Sequence, residues 1–368
     1  MDSKIVILNL SQNLSLISKE LTLFFPLAAE GTTTQVATSY TPTGNRPERR
    51  KRSLSYMELP FHTLDVFTES TFGGNPLSLF PNAIHLPTDL MQRIAREMNL
   101  SETVFLGPPE TDQGTARVRI FTPNVEVPFA GHPTVGTAIF IAHQQLVGES
   151  GVSEMGRPGL TVILEENIGP VPVDVQFEDG EPVFGRFTTA ILPEHRPSPH
   201  SCQDLARMVG LDPQDVCPEG LSPEMVSCGL AYHVVPVRTI EAVRRASLDM
   251  TLWKTMIADS WAHHVYVVCM EAEGDRADIR VRMFAPGSGV DEDPATGSAA
   301  AALGGYLSAV DGCEEGSLSW TVEQGIEMGR PSLIYVEVDR SSGATSAVRV
   351  GGRAVLVSSG TMRIPNDA

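Results

Sequence analysis

The feature that most constrains this chain is an internal repeat, because two similar segments occur about 160 residues apart. The first comprises residues 119–123 (RIFTP) and 132–138 (HPTVGTA), and the second comprises residues 282–286 (RMFAP) and 293–299 (DPATGSA). The copies differ at the one position that can do acid–base chemistry. A duplicated fold is therefore predicted to present a histidine from one half and a carboxylate from the other.

Length and charge narrow the class of protein. A chain of 368 residues suits two domains of about 150 residues each. The formal net charge of −18 argues against binding to nucleic acid or to an anionic membrane surface, which needs clustered positive charge. A small anionic substrate stays compatible with this charge, because the electrostatic potential of a site is local.

Cysteine usage and the first residues indicate an intracellular protein. The five cysteines are odd in number and lack C-x-x-C spacing, which favours reduced thiols over a disulfide framework. The apolar run at residues 21–29 is short and has no charged segment typical of a signal peptide before it. No run is long enough to span a bilayer. We therefore expect a cytoplasmic location.

Composition divides the chain into three parts. Residues 1–56 form an N-terminal extension whose residues 31–55 are rich in Thr, Ser, Pro and Gly and include a basic run at residues 49–52, and such a composition predicts disorder. The basic run fits a solvated linker better than a localisation signal. We expect one domain over residues 57–190 and a second over residues 191–368, whose final strand returns to the first domain.

Strand and helix patterns recur in both halves. A helix with Leu90, Ile94 and Met98 on its apolar face should end at Asn99. Residues 154–160 also resemble residues 327–333, and each copy should lead into a strand. Further predicted elements are strands at 104–106, 116–121, 232–237, 265–270 and 279–284, a helix at 204–209, and an apolar helix after each repeat motif. The pattern predicts two similar α+β domains, each a curved sheet around a central helix.

The repeat motifs are predicted to begin helices. Proline is favoured at the first helical position, so Pro133 and Pro294 should lie there, with His132 and Asp293 as the preceding caps. Free N–H groups and the helix dipole make such a start an anion site. If the halves face each other, two starts converge on one cleft that can hold a carboxylate.

Three side chains are candidates for chemistry, and each has a structural alternative. Asp293 could serve only as a helix cap, and His132 could be a structural histidine. Glu102 lies between a helix end and an apolar strand, where partial desolvation would raise its pKa into a range useful for proton transfer. Its alternative is a cap or a salt bridge.

Several sequence motifs are absent. The chain has no G-x-G-x-x-G or Walker loop, no G-x-S-x-G elbow, and no histidine or cysteine spacing typical of a metal site. We therefore expect neither a cofactor nor a metal ion.

Five segments, in order, resemble the signatures of the phenazine-biosynthesis isomerase (PhzF-like) family. They are residues 65–67 (DVF), 72–76 (FGGNP), 101–105 (SETVF), 129–134 (FAGHPT) and 292–299 (EDPATGSA). The resemblance spans about residues 57–364. It implies the diaminopimelate-epimerase-like fold, commonly a homodimer, and cofactor-free isomerisation by proton transfer, with a dihydro-hydroxyanthranilate as substrate in the best-understood members.

The resemblance also implies site residues. It assigns catalysis to Glu102, His132 and Asp293, and it places Gly131 and Ser298 near the ligand. Thr296 and Gly297 belong to the same predicted helix start as Ser298, so we include them as substrate-binding candidates.

Related epimerases use two thiols, one from each half, as acid and base. Here Ala130 and Ala295 stand beside the two helix starts, and neither motif contains a cysteine. The hypothesis is therefore that Glu102 moves a proton between carbons of a small carboxylate-bearing metabolite. Two alternatives stay open: a non-catalytic binding protein on the same scaffold, and an epimerase that uses Glu102 with a different acid.

Overall fold

The first half of the chain alternates strands with two helices. The structure, a computed structural model, describes residues 56–144, 151–152 and 158–365, within a compact unit Leu54–Ala368. Apart from Tyr56, the predicted N-terminal extension lies outside the described residues. In chain order the elements are β1 (Tyr56–Val66), β2 (Asn75–Phe80), α1 (Thr88–Met98), β3 (Glu102–Gly107), β4 (Ala116–Phe121), β5 (Glu126–Val127), α2 (Gly131–His143), β6 (Gly151–Val152), β7 (Pro158–Glu166), β8 (Gly169–Glu178) and β9 (Glu181–Thr188).

The second half repeats this order of elements with more helices. Its elements are β10 (Glu194–Pro197), α3 (Cys202–Met208), β11 (Glu224–Ser227), β12 (Ala231–Val237), α4 (Ile240–Arg245), α5 (Met250–Met256), β13 (His264–Cys269), β14 (Ile279–Ala285), β15 (Val290–Asp293), α6 (Gly297–Asp311), β16 (Gly316–Gln324), β17 (Ser332–Ser341) and β18 (Ala344–Pro365). Short 3₁₀ helices lie at Pro213–Asp215 and Pro286–Ser288. Among the described residues, no helix is both long and apolar enough to cross a membrane.

Strand pairing has the same plan in the two halves. Parallel pairs β2–β3 and β4–β7 in the first half correspond to β12–β13 and β14–β16 in the second. The remaining neighbours are antiparallel. This agreement confirms the prediction of two pseudo-symmetric halves, each with a sheet around a central helix.

The last strand, β18, joins the two sheets. Its residues 344–351 pair with β17, residues 349–353 pair with β9, and residues 354–365 pair with β1. The first half therefore closes into a ring in the order β1, β2, β3, β4, β7, β8, β9 and β18. A closed ring has no free strand edge.

Each sheet encloses one apolar helix. Residues 131–142 of α2 are all buried, and α6 is buried from Gly297 to Ser308 except at Ser298. A helix that is apolar on every side is stable only inside a core. In α6 the small residues permit close packing, since a Cβ on Gly304 would lie 2.6 Å from Val336 Cγ1.

Local predictions were accurate where pattern and turn chemistry agree. Asn99 ends α1 with φ 52°, a left-handed conformation that asparagine tolerates. The prediction that residues 154–160 and residues 327–333 each lead into a strand is confirmed for the described residues, but the two strands are not counterparts. The described portion leads into β7, whose counterpart in the second half is β16, whereas residues 327–333 lead into β17. The two strands therefore occupy different positions in the two halves.

The prediction of reduced thiols was wrong for two of the five cysteines. Cys202, at the start of α3, forms a disulfide with Cys217. Cys228, Cys269 and Cys313 are free. The two bonded residues are separated by 15 positions without a motif that marks them, so the pairing depends on how α3 folds back against the following loop.

Candidate active site

The starts of the two central helices meet face to face. Gly131 is the first residue of α2, and Gly297 is the first residue of α6. A Cβ on Gly131 would lie 3.0 Å from Gly297 Cα and 3.2 Å from Ser298 N. The predicted convergence is confirmed, and it brings free N–H groups of both helices to one place.

The predicted caps are displaced from the helix starts. Ala130 and Thr296 precede the two helices, whereas His132 lies inside α2 and Asp293 ends β15. The placement of Pro133 and Pro294 at the first helical position was therefore wrong. In the second half the cause is a competing interaction. Gln324 Nε2 donates to the Asp293 carbonyl oxygen at 2.7 Å and so holds this segment outside the helix.

Asp293 is surrounded by donors. Asn75 Nδ2 and Ser101 Oγ donate to its Oδ1 at 2.9 and 3.2 Å, and Thr296 Oγ1 donates to its Oδ2 at 2.5 Å. Burial raises the pKa of Asp293 to about 6, although these hydrogen bonds act in the opposite direction. Asp293 therefore connects β2 and the loop before β3 to the start of α6, and it is not a simple cap.

Glu102 and His132 form a buried contact beside Asp293. His132 Nδ1 lies 3.4 Å from Glu102 Oε2, which has no hydrogen-bond partner among the described residues. Burial, and to a lesser degree the charge of Asp293, raises the pKa of Glu102 well above its usual value. Burial lowers the pKa of His132 to about 3, so its imidazole is neutral at physiological pH. A desolvated carboxyl next to a neutral imidazole is suited to accepting and returning a proton.

A cavity of about 120 Å³ is lined by residues of both halves, including Glu102 and Asp293. Of the seven predicted site residues, the structure brings four into its wall: Glu102, Asp293, Thr296 and Ser298. The other three do not line the cavity but lie next to these residues. His132 is 3.4 Å from Glu102, Gly297 lies between Thr296 and Ser298 in the chain, and Gly131 packs against Gly297. A larger surface cavity of about 650 Å³ lies elsewhere, around Phe72 and Tyr335, and contains none of the seven.

Sequence reasoning missed several residues of the site. Tyr232 Oη lies 2.6 Å from Ser298 Oγ, and its position in an apolar strand carries no signal. Gln324 fixes Thr296, accepting from its backbone N–H at 3.3 Å and donating to its Oγ1 at 3.0 Å. Asn75 was part of a recognised segment, but nothing local indicates its bond to Asp293. Among the described residues, no group of three or more His, Cys, Asp or Glu side chains is placed to hold a metal ion.

Comparison with known proteins identifies the family of this chain. The family model described as phenazine biosynthesis-like protein (PhzC-PhzF) matches residues 64–360. The chain belongs to this family. An uncharacterized isomerase from Mesorhizobium japonicum is 42% identical over 303 residues, which cover 82% of this chain and 97% of the relative. The trans-2,3-dihydro-3-hydroxyanthranilate isomerase of Pseudomonas aeruginosa is 34% identical over 302 residues, covering 81% and 96%.

Solved structures confirm the fold. A phenazine biosynthesis protein of the PhzF family from Bacillus anthracis has a TM-score of 0.74 at 24% identity, covering 83% of this chain and 99% of that one. A hydroxyproline epimerase from Agrobacterium vitis has a TM-score of 0.54 at 13% identity, covering 84% and 93%. The α+β, epimerase-like fold predicted from sequence is therefore confirmed. Together with the relatives named as isomerases, these findings identify the protein as a PhzF-like isomerase.

Proposed function

We propose that this isomerase moves a proton between two carbons of a small carboxylate-bearing metabolite without a cofactor, with Glu102 as the general acid and base. The observation that carries the proposal is the Glu102 carboxyl, which lines a cavity at the two helix starts and lies 3.4 Å from the neutral imidazole of His132. The relative from Pseudomonas aeruginosa suggests a cyclic amino acid such as trans-2,3-dihydro-3-hydroxyanthranilate as the substrate.

The starts of α2 and α6 are the proposed binding site for the substrate carboxylate. The N–H groups of the first turns, together with the Ser298 hydroxyl, would hold the substrate carboxylate without a lysine or arginine. Tyr232 positions that hydroxyl through the 2.6 Å contact. The backbone groups of Thr296, Gly297 and Gly131 would also take part in binding the carboxylate. This explains why small residues occupy the point where the two helix starts approach most closely.

The chemical step is a proton shift. Glu102 as carboxylate takes the proton from a carbon next to a conjugated double bond, and the electron pair moves along that bond to its far carbon. The protonated Glu102 then returns the proton to the far carbon, so atoms and charges balance. Its raised pKa makes the carboxylate a stronger base than an ordinary glutamate. His132 and Asp293 orient the substrate amine or hydroxyl, or assist this transfer.

The test is substitution Glu102→Gln, which keeps shape and removes the titrating group. We expect turnover of trans-2,3-dihydro-3-hydroxyanthranilate to fall by about 10² or more in a variant that still folds. Glu97→Gln, an exposed carboxylate on α1, is the matched control. Product formation and deuterium uptake from D₂O are measured together by mass spectrometry. Unchanged turnover in Glu102→Gln would contradict the assignment.

The same assay separates the alternatives. Ligand binding by the wild-type protein without deuterium uptake would favour a non-catalytic binding protein on this scaffold. Inversion at one carbon, read from product chirality, would favour an epimerase that uses Glu102 with another acid.

Three further proposals depend on the resemblance or on composition: a homodimer, a cytoplasmic location, and a domain boundary near residue 190. Light scattering coupled to size-exclusion chromatography tests the first. Fractionation of the native cells tests the second, and limited proteolysis tests the third.

A further inference from the structure

The second half places a histidine at the position that Glu102 has in the first half. Glu102 begins β3 and pairs with Leu77 of the parallel neighbour β2, while His264 begins β13 and pairs with Tyr232 of the parallel neighbour β12. These are equivalent strands of the two sheets. Both residues line the same 120 Å³ cavity. The repeat therefore brings a further titratable side chain to the site, outside the two repeat motifs.

His264, which lines this cavity, has a buried polar atom without a partner. The residue is 2% exposed, and within the described part of the chain its buried Nδ1 has no hydrogen-bond partner. Leaving a buried polar atom unpaired is unfavourable, so such atoms in native proteins usually have an explanation. A polar ligand atom in the cavity would provide the missing partner.

The surroundings of His264 favour a neutral ligand group. Burial, and secondarily the neighbouring His263, lowers the pKa of His264 to about 4, so the imidazole is uncharged at physiological pH. The ring of Tyr232 lies 5.6 Å from that of His264, between centroids, and the Tyr232 hydroxyl is already bonded to Ser298. A neutral imidazole offers one donor and one acceptor, which matches a hydroxyl or an amine better than a second carboxylate.

We propose that His264 contacts the substrate directly, by a hydrogen bond to a ring hydroxyl or amine, and thereby selects among related carboxylates. This inference rests on the proposed function for the identity of the ligand class. Glu102 and the helix starts would act on the reacting carbons and the carboxylate, whereas His264 would recognise the remaining polar substituent.

Binding of aromatic compounds that cannot react tests the inference separately from catalysis. The probes are 3-hydroxyanthranilate, anthranilate, which lacks the hydroxyl, and 3-hydroxybenzoate, which lacks the amine. For His264→Phe, which keeps a ring and removes both nitrogens, we expect 3-hydroxyanthranilate to bind about tenfold more weakly, as for one lost hydrogen bond. The probe that lacks the contacted substituent should bind wild-type protein and variant equally.

Two further variants make the result specific. His263→Phe is the same change one position earlier, at a residue outside the cavity wall, and should leave binding unchanged. His264→Gln restores a donor and an acceptor, should recover part of the affinity, and carries the test if His264→Phe fails to fold. Equal affinities for the wild-type protein, His264→Phe and His264→Gln, or no binding of any probe to the wild-type protein, would overturn the inference. If both His264 variants change probe binding as expected but the wild-type protein gives no deuterium uptake into trans-2,3-dihydro-3-hydroxyanthranilate, the proposed function is rejected instead.

Discussion

Glu166 lies buried at the end of β7 beneath the start of α2, and it provides a quantitative test of the structure. It is 5% exposed, and its Oε2 has no hydrogen-bond partner among the described residues. Thr134 Oγ1 lies 2.7 Å from Glu166 Oε1 and 2.8 Å from the Ala130 carbonyl oxygen. One hydroxyl proton can serve one of these two acceptors. A proton on Glu166 would satisfy both contacts, so we expect the neutral form in the folded protein.

The energetic consequence follows from the pKa of Glu166. Burial raises it from 4.5 to about 8, against smaller opposing effects of Thr134 and Arg117. Because the folded state holds the proton more tightly than the unfolded state, protonated Glu166 contributes to the free energy of unfolding. This contribution is fully present below pH 4.5 and is lost as the pH rises to 8. At about 1.4 kcal/mol per pKa unit, Glu166 should lower the free energy of unfolding by about 4 kcal/mol across this window.

The second half indicates which replacement fits. The strand equivalent to β7 is β16, and its last residue is Gln324, an amide at the position equivalent to Glu166. Glu166→Gln should therefore keep the geometry and remove the titration. We expect the variant to match the wild-type protein near pH 4.5 and to exceed its stability by about 4 kcal/mol at pH 8.

Urea unfolding at several pH values between 4.5 and 8 measures this difference. Comparing variant with wild type at each pH cancels the contributions of the other titrating groups. Glu165→Gln is the matched control, because Glu165 accepts hydrogen bonds from Thr111 Oγ1 and from the backbone N–H groups of Glu110 and Thr111, which lower its pKa. That control should be less stable than the wild-type protein at pH 8. If Glu166→Gln differs from the wild-type protein by a constant at every pH, the reasoning is refuted.

Two further predictions concern the packing around the site. Gly131→Ala would place a Cβ 3.0 Å from Gly297 Cα, so we expect destabilisation of about 1–3 kcal/mol and slower deuterium uptake, measured by urea unfolding and mass spectrometry. Asn75→Ala removes buried bonds to Asp293 and the Ala295 carbonyl oxygen, so we expect a loss of about 1–3 kcal/mol and a further rise in the pKa of Asp293, measured by carboxyl NMR. If Gly131→Ala is as stable as the wild-type protein, the close approach of Gly131 to Gly297 is contradicted. If Asn75→Ala is as stable as the wild-type protein, the bonds of Asn75 are contradicted.

Whether an element can be predicted from the sequence depends on how far apart in the chain the interacting residues lie. The strand at Ala116–Phe121 was predicted with its bounds, because alternating polar and apolar residues specify a half-buried strand locally. The duplicated motifs likewise predicted a shared cleft. The start of α6 was misplaced by local reasoning, because the bond between Gln324 and Asp293 joins residues 31 positions apart.

By itself, the amino-acid sequence determined the duplication, the two central helices and the set of polar residues that meet between them, since these are carried by short motifs and local periodicity. Only the tertiary structure decided which atoms are paired and which are left without partners. Asn75 reaches Asp293 across 218 positions, and His264 reaches the cavity through strand register alone. Such contacts arise when distant strands close around a helix, and short motifs do not encode them.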